Sequence, residues 1–207
     1  MDDISVAVLA GGASRRFGSN KALAEWEGAT VIESVIRAAA AVSGHVFIVS
    51  GERAALEFTG LEIIPDIHPG QGPLAGLEAA LEWTESSRVM LLACDMPLLP
   101  PSLLVYLAGI SFEQDADITA PVVNNMFQPL CAVYKQEILG EVRAMLHRGE
   151  LSIRGLLDAF GCYPVKEDDM EKVLECPPVL ALASANTPDS LRTMRLFRKK
   201  IKKSGDS

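Results

Sequence analysis

Short apolar runs alternate with helical patterns along almost the whole chain, and this alternation limits the possible folds. The runs at 6–9, 45–50, 61–64 and 89–94 have the length of strands, and helix-like or turn segments separate them. The run at 89–94 is almost continuously apolar, which is typical of a strand buried on both faces of a parallel sheet. The pattern predicts an α/β fold, a three-layer α/β/α domain with a mostly parallel, Rossmann-like sheet.

Capping signals place the predicted helices between these strands. Thr30 and Glu33 have the spacing of a capping box, before a helix that we expect to end near Ser43-Gly44. Pro73 after Gly72 predicts the start of a helix that runs towards residue 84. The other expected elements are strands at 118–122 and 129–134, and helices at 102–107, 136–147, 153–160 (capped by Ser152) and from Thr187-Pro188-Asp189 onward.

Charge is distributed unevenly along the chain. The net charge is −8, but seven of the 19 basic residues lie at or after Arg192, together with one of the 27 acidic residues. Residues 1–191 therefore carry a net charge near −14, which argues against a broad nucleic-acid surface. We expect one domain over residues 1–191 and a basic helix end or tail over residues 192–207. The tail either binds RNA or another anionic partner, or is a solvated helix end whose cations suit the helix dipole.

Other bulk features narrow the protein class. No apolar run is long enough to span a bilayer, and no basic-then-apolar signal segment opens the chain, so we expect a soluble, cytoplasmic protein without membrane contact. A monomer is also expected. The four cysteines form no C-x-x-C pair and are expected to be reduced structural thiols. Only three histidines are present, none at ligand spacing from a cysteine, so a zinc site is not expected.

The first predicted strand runs into the most informative segment, 9–21, which reads Leu-Ala-Gly-Gly-Ala-Ser-Arg-Arg-Phe-Gly-Ser-Asn-Lys. Glycines let backbone N–H groups approach an anion closely, and Arg15, Arg16 and Lys21 add positive charge beside them. This pattern predicts a phosphate-binding cradle at the carboxyl end of a strand. Its spacing matches neither the dinucleotide fingerprint nor the Walker A loop. The alternative is a plain surface turn, which does not account for three cations within seven residues.

Asp95 follows the buried run at 89–94 directly. A carboxylate there has a high desolvation cost unless a partner compensates it, and a bound cation is one such partner. Mg²⁺ is typically held by one or two carboxylates together with substrate phosphates and water, so Asp95 is a candidate Mg²⁺ ligand. The alternative is that Asp95 caps a helix before Pro97.

Asp66 repeats this arrangement at the end of the predicted strand at 61–64, and it is a candidate for contacting a ribose, a base or the metal. The segment 68–76 contains glycines at 70, 72 and 76, which allow close approach of a flat ligand; the alternative is a tight loop with helix–sheet packing at Gly76. His68 is interpreted as a loop histidine, because no nucleophile lies near it in sequence. If the strands are parallel, the groups after 9, 64 and 94 meet at one edge of the sheet.

The chain shows no G-x-S-x-G elbow and no arrangement typical of a Ser/His/Asp triad. A covalent mechanism therefore has little support, and the cationic loop and acidic residues favour phosphoryl chemistry by positioning and charge neutralisation.

Five motifs follow one another along the chain: L-A-G-G-x-S-x-R-F-G-x-x-K at 9–21, G-P-L-A-G at 72–76, C-D-M-P at 94–97, Q-P-L-C-A-V-Y at 128–134 and N-T-P at 186–188. Together they resemble the motifs of the molybdenum cofactor guanylyltransferases.

This resemblance covers the chain from about residue 6 to residue 191, and it implies a nucleotidyltransferase fold and activity. Such enzymes use Mg²⁺ and join GTP to molybdenum-loaded molybdopterin, releasing pyrophosphate; contacts with molybdoenzymes or cofactor-biosynthesis proteins are also expected. The resemblance implies backbone contacts to GTP by Leu9, Ala10 and Gly11. The resemblance also implies roles for Lys21, Asp66, Asp95 and Asn186. Together with candidates from the residue pattern, the full set of nucleotide- and cofactor-binding positions is Leu9, Ala10, Gly11, Gly12, Lys21, Asp66, Gly76, Asp95 and Asn186. The candidate catalytic residues are Lys21, Asp95 and Arg15, and the candidate metal ligand is Asp95.

The chain departs from the family pattern at three places. Val49-Ser50-Gly51 stands at the end of the second strand, where the family often has Asn. Ser184-Ala185-Asn186 replaces Asn-x-Asn, and the segment 149–154 replaces Gly-Glu-Arg-Arg. The last two lie on the expected acceptor side. Two alternatives therefore stay open: a cytidylyl- or sugar-phosphate nucleotidyltransferase of the same fold, and a nucleotide-binding adaptor without turnover.

Overall fold

A computed structural model describes residues 3–11 and 21–205 of the protein. Ten strands are present in this part of the chain: β1 Ile4–Leu9, β2 Glu25–Trp26, β3 Ala29–Thr30, β4 Val46–Val49, β5 Glu62–Ile64, β6 Arg88–Ala93, β7 Ile118–Val123, β8 Met126–Phe127, β9 Cys131–Lys135 and β10 Cys162–Val165. The α-helices are α1 Val31–Ala39, α2 Arg53–Leu56, α3 Pro73–Trp83, α4 Pro101–Glu113, α5 Leu139–His147, α6 Ile153–Ala159, α7 Glu167–Met170, α8 Pro178–Ala181 and α9 Pro188–Gly205.

One eight-stranded sheet organises the molecule, in the order β10-β7-β9-β6-β1-β4-β5 with β8 paired to β7. Strands β6, β1, β4 and β5 are parallel neighbours. Strand β9 is antiparallel to both β6 and β7, and it interrupts an otherwise parallel main path. The predicted α/β class with a mostly parallel sheet is confirmed.

Two apolar cores lie on opposite faces of this sheet. Successive residues of β6 alternate between them: Met90 and Leu92 belong to one core, and Val89 and Leu91 to the other. This alternation follows from the two-residue period of a strand. Helices α1 and α4 contribute to the first core, and α3, α5 and α6 to the second, which gives the three predicted layers.

The start of α1 is confirmed in detail. The Thr30 side chain accepts a hydrogen bond from the Glu33 N–H, and the Glu33 carboxylate accepts from the Thr30 N–H, which completes the capping box. The predicted end near 43–44 is wrong, because the helix stops at Ala39. Beyond it, Ala41 and Val42 donate to the carbonyls of residues 38 and 39, and these tighter i→i+3 bonds end the α-helix early.

Two other helix predictions need correction. Helix α4 reaches Glu113 rather than 107, because the buried face continues through Leu107, Ala108 and Ser111. Ser152 occupies the N-cap of α6, but its side chain makes no capping hydrogen bond. No helix in the described residues is both long enough and apolar enough to cross a membrane.

Candidate active site

The carboxyl ends of the parallel strands β1, β4 and β6 open on a cavity of about 660 Å³. Of the predicted site residues, Gly12 and Arg15 lie outside the described residues. Seven of the other eight line this cavity: Leu9, Gly11, Lys21, Asp66, Gly76, Asp95 and Asn186. Another cavity, of about 700 Å³, lies beside Asp3 and Trp83 and contains none of the predicted residues. The predicted site residues therefore lie together at the first cavity, as the parallel strand arrangement predicts.

Ala10 is the predicted residue that the structure does not bring to the cavity wall. Its N–H donates to the carbonyl of Val49 at 3.0 Å, and its carbonyl accepts from the Ser50 hydroxyl at 2.6 Å. Both backbone groups of Ala10 are thus engaged in joining β1 to the end of β4.

Asp95 and Lys21 form the electrostatic centre of the cavity. Asp95 follows β6 and is 4% exposed. Its Oδ2 lies 2.5 Å from Lys21 Nζ, which also donates to Asn186 Oδ1 at 3.4 Å. The Asp95 carbonyl accepts from the Ala185 N–H at 2.7 Å, so the segment that carries Asn186 is fixed beside β6. Three predicted residues from distant parts of the sequence meet here.

The second carboxylate oxygen of Asp95 is suited to a cation. Oδ1 is buried and accepts no hydrogen bond from the described residues. Asp95 does not cap the following helix, because α4 begins at Pro101 with Pro100 at its N-cap. Within residues 3–11 and 21–205, no group of three or more His, Cys, Asp or Glu side chains could hold a metal ion. The unpartnered Oδ1 is a single oxygen donor, and it fits a metal that takes its other ligands from substrate oxygens and water.

The neighbouring thiol is chemically quiet. Burial raises the pKa of Cys94 to about 12, and the negative charge of Asp95 contributes in the same direction. Because the thiolate is the nucleophilic form, Cys94 stays protonated and inert near neutral pH.

The segment between β5 and α3 forms one wall of the cavity. The Asp66 Oδ1 accepts from the His68 N–H at 3.0 Å, an Asx-type turn that fixes this carboxylate at the end of β5. Gly70 and Gly72 also line the wall, with φ values of 85° and 82° that favour glycine. Pro73 then opens α3 as predicted.

Gly76 faces Leu9 across the helix–sheet contact. A Cβ at Gly76 would lie 2.8 Å from Leu9 Cδ2, which is closer than side chains pack. Gly76 therefore allows the Leu9 side chain to approach α3 closely, which is the helix–sheet packing given above as the alternative to ligand contact. Gly76 also lines the cavity.

Ser50 is a cavity residue that sequence reasoning noted only as a departure from a pattern. It is 3% exposed, and its hydroxyl donates to the Ala10 carbonyl while accepting from the Glu52 N–H at 3.0 Å. Ser50 thus joins the ends of β1 and β4 beneath the cavity. The available signal was a hydroxyl residue at the end of an apolar strand, directly before a glycine.

Comparisons with known proteins agree with this geometry. Residues 6–163 match the MobA-like NTP transferase domain family. A probable molybdenum cofactor guanylyltransferase from Clostridium perfringens is 37% identical over 133 residues, which are 64% of this chain and 66% of that protein. The chain thus spans 66% of the length of this relative. A protein of the same description from Bacillus cereus is 31% identical over 170 residues, covering 79% of this chain and 84% of the relative.

The fold also matches a solved structure over nearly its full length. Molybdopterin-guanine dinucleotide biosynthesis protein A from Archaeoglobus fulgidus superposes with a TM-score of 0.81 at 26% identity, covering 95% of this chain and 99% of that one. The family resemblance inferred from the sequence motifs and the fold class inferred from the alternation of strands and helices are therefore confirmed.

Proposed function

This chain belongs to the MobA-like family of NTP transferases, and from that premise we propose that it transfers GMP from GTP to molybdenum-loaded molybdopterin. A terminal phosphate oxygen of the pterin attacks the α-phosphorus of GTP, the bond between the α-phosphorus and the bridging oxygen breaks, and pyrophosphate leaves. The product is the guanine dinucleotide form of the cofactor. The names of the C. perfringens and B. cereus relatives support this choice of substrates.

The observation that carries the proposal is the meeting of Lys21, Asp95 and Asn186 in one cavity. Nucleotidyl transfer needs neutralisation of charge on the triphosphate and on the leaving pyrophosphate more than it needs a protein nucleophile. The ammonium of Lys21 supplies one positive charge. Asp95 would hold Mg²⁺ through its unpaired oxygen, and the bound ion would add charge neutralisation at the phosphates.

The other residues bind and orient the substrates. Leu9 and Gly11 line the cavity at the end of β1, and Asp66 offers a carboxylate to the nucleoside. The Leu9 carbonyl accepts a hydrogen bond from the Cys94 N–H at 3.1 Å, so Gly11 is the stronger candidate for a backbone contact to GTP. Gly70 and Gly72 keep the wall of the cavity free of side chains. Asn186 faces the acceptor or the metal. Gly12 and Arg15 are proposed for the triphosphate, from the sequence pattern alone.

The direct test is transfer of labelled GMP. The purified protein is incubated with labelled GTP, Mg²⁺ and molybdenum-loaded molybdopterin, and the guanylylated product is separated from GTP. Absence of this product at saturating substrate contradicts the proposal. Location in the cytoplasm, a monomeric state, the domain boundary at 191 and contacts with molybdoenzymes stay predictions of the sequence.

Selectivity for the base requires its own experiment. The Ser50 hydroxyl in the cavity is already hydrogen-bonded to Ala10 and Glu52, so it is not the group proposed to recognise the base. We propose that guanine is selected mainly by backbone groups. A nucleotide that binds the native state stabilises it by RT ln(1 + [L]/Kd), so GTP should raise the melting temperature more than CTP, ATP or UTP at the same concentration. An equal or larger shift with CTP favours the cytidylyltransferase alternative. GTP binding without turnover favours the adaptor.

A further inference from the structure

Glu78 is a buried carboxylate that the proposed reaction does not use. It lies on α3 with 6% of its side chain exposed. Its Oε1 is 3.5 Å from Arg143 Nε on α5, and the same guanidinium bonds to Glu82 at 2.6 Å. Burying a charge is strongly unfavourable without compensation, so a carboxylate at this position indicates a role that an apolar side chain would not fill.

The other neighbour of Glu78 is His68, in the segment 66–72 that forms a cavity wall. His68 Nε2 lies 3.3 Å from Glu78 Oε2. That oxygen is buried, and it accepts no hydrogen bond from the part of the chain that the structure describes. The approach of the imidazole to this oxygen is therefore the contact that links the Glu78 side chain to the loop.

The backbone of His68 connects this contact to the cavity. Its N–H donates to the Asp66 carboxylate, and Asp66 lines the cavity together with Gly70 and Gly72. His68 and Glu78 do not themselves line the cavity. The contacts thus run from α5 through α3 to the wall of the site, in the order Arg143, Glu78, His68, Asp66.

We propose that Glu78 and His68 are positioning residues that hold the segment 66–72 in its nucleotide-binding form. The inference rests on the proposed function in one respect, which is that Asp66 contacts the nucleoside. Because neither side chain reaches the reacting atoms, their loss lowers nucleotide affinity and leaves the chemical step unchanged. In kinetic terms, KM for GTP rises while kcat stays within about twofold.

The test compares H68A and E78Q with the matched control E82Q. Glu82 lies on the same helix and contacts the same arginine, but it is 49% exposed and forms no ion pair with His68 among the described residues. Amide hydrogen exchange of residues 66–72 is measured without nucleotide, with β6 as the reference for global stability. GTP affinity is measured by calorimetry on the same variants.

We expect H68A and E78Q each to speed exchange in segment 66–72 relative to β6, and to weaken GTP binding by about fivefold to tenfold. E82Q should match the parent protein. H68Q, whose amide N–H can approach and donate to the Glu78 carboxylate, should recover most of the loss. The double variant H68A/E78Q should be no weaker than the worse single variant, because both substitutions remove the same contact between residues 68 and 78.

Unchanged exchange in segment 66–72, equal effects of E78Q and E82Q, or additive losses in the double variant would each overturn the positioning role. If the parent protein binds neither GTP nor another nucleotide, the proposed function fails instead. The exchange measurement then still decides whether Glu78 and His68 hold the loop.

Discussion

Lys21 Nζ lies 2.5 Å from Asp95 Oδ2, so the last cation of the glycine-rich segment meets the acid that follows β6. Parallel pairing of β1 and β6 brings their carboxyl ends to the same edge, although Lys21 and Asp95 are 74 positions apart. The ion pair compensates a carboxylate with 6% of its side chain exposed. On binding of a metal–nucleotide complex, we expect Lys21 to turn towards phosphate and Asp95 towards the metal.

The substitution Asp95→Asn should keep the fold and abolish most turnover. It preserves side-chain volume but removes the charge that a divalent cation requires, and losing an electrostatic stabiliser of this kind lowers kcat by about 100-fold or more. The measurement is GMP transfer across a Mg²⁺ titration, with circular dichroism to verify folding. D158N, at an exposed position on α6, is the control and should behave as the parent protein. Near-normal turnover of D95N would leave Asp95 with a structural role only.

The substitution Lys21→Ala should weaken triphosphate binding. A hydrogen bond to a charged group contributes about 1.5–3 kcal/mol, so we expect GTP affinity to fall by about tenfold to 100-fold. Stability should fall as well, because Asp95 loses the partner of its buried charge. Calorimetry with GTP and with GMP checks this, since the loss should be larger for the triphosphate.

The matched control for K21A is K172A. Lys172 also forms an ion pair, with Asp169 at 2.7 Å, but its side chain is 68% exposed. Exposed pairs contribute little to stability, so K172A should change neither stability nor GTP affinity. Unchanged GTP affinity in K21A would refute the assignment of Lys21 to the triphosphate.

The architecture of the site could be predicted because it depends on strand ends. Buried apolar runs fix β1, β5 and β6, and parallel pairing then places Leu9, Asp66 and Asp95 at one edge. The hairpin of β2 and β3 was not predicted, because two-residue strands carry no periodicity. Strand β10 was missed as well: it pairs with β7 at one end of the sheet order and contains Pro164, and proline argues against a strand.

The positioning contacts could not be predicted in the same way. His68 was correctly interpreted as a loop histidine, but its contact with Glu78 depends on the packing of α3 against the loop. The bond from the Ser50 hydroxyl to the Ala10 carbonyl likewise depends on the register between β1 and β4 in the sheet. Side chains that join separate elements leave no local pattern, because their partners are set by tertiary packing.

Gly76 should not tolerate alanine without a change at the cavity. The added Cβ would lie 2.8 Å from Leu9 Cδ2, so the end of the Leu9 side chain must shift, and about 1 kcal/mol of improved helix propensity offsets part of the cost in stability. We expect Leu9 to move towards the cavity and GTP affinity to fall. The double variant L9A/G76A should regain affinity, because it removes the atoms that the Cβ would meet.

Gly155 offers the control for G76A. It lies in α6, and a Cβ there would meet the flexible end of Met145 at 3.4 Å. G155A should therefore be neutral or stabilising, by up to about 1 kcal/mol, without an effect on GTP. Thermal unfolding and calorimetry on the three variants separate packing from binding, and full GTP affinity in G76A would contradict the close-packing argument.

The capping box of α1 should make stability depend on pH in the acidic range. Hydrogen bonds from Thr30 lower the pKa of Glu33 below its ordinary value of 4.5. A lowered folded-state pKa stabilises the fold above the unfolded-state pKa, and this contribution is lost as the pH falls through the folded value. E33Q should therefore be less stable than the parent protein at pH 7, and the difference should shrink below about pH 4.5.

T30A should lose about 1 kcal/mol of unfolding free energy at pH 7, while T30S, which keeps the hydroxyl, should lose less. Urea unfolding of the four proteins between pH 3 and pH 7 measures this, and a difference between E33Q and the parent that does not vary with pH would rule out the carboxylate's role in the cap.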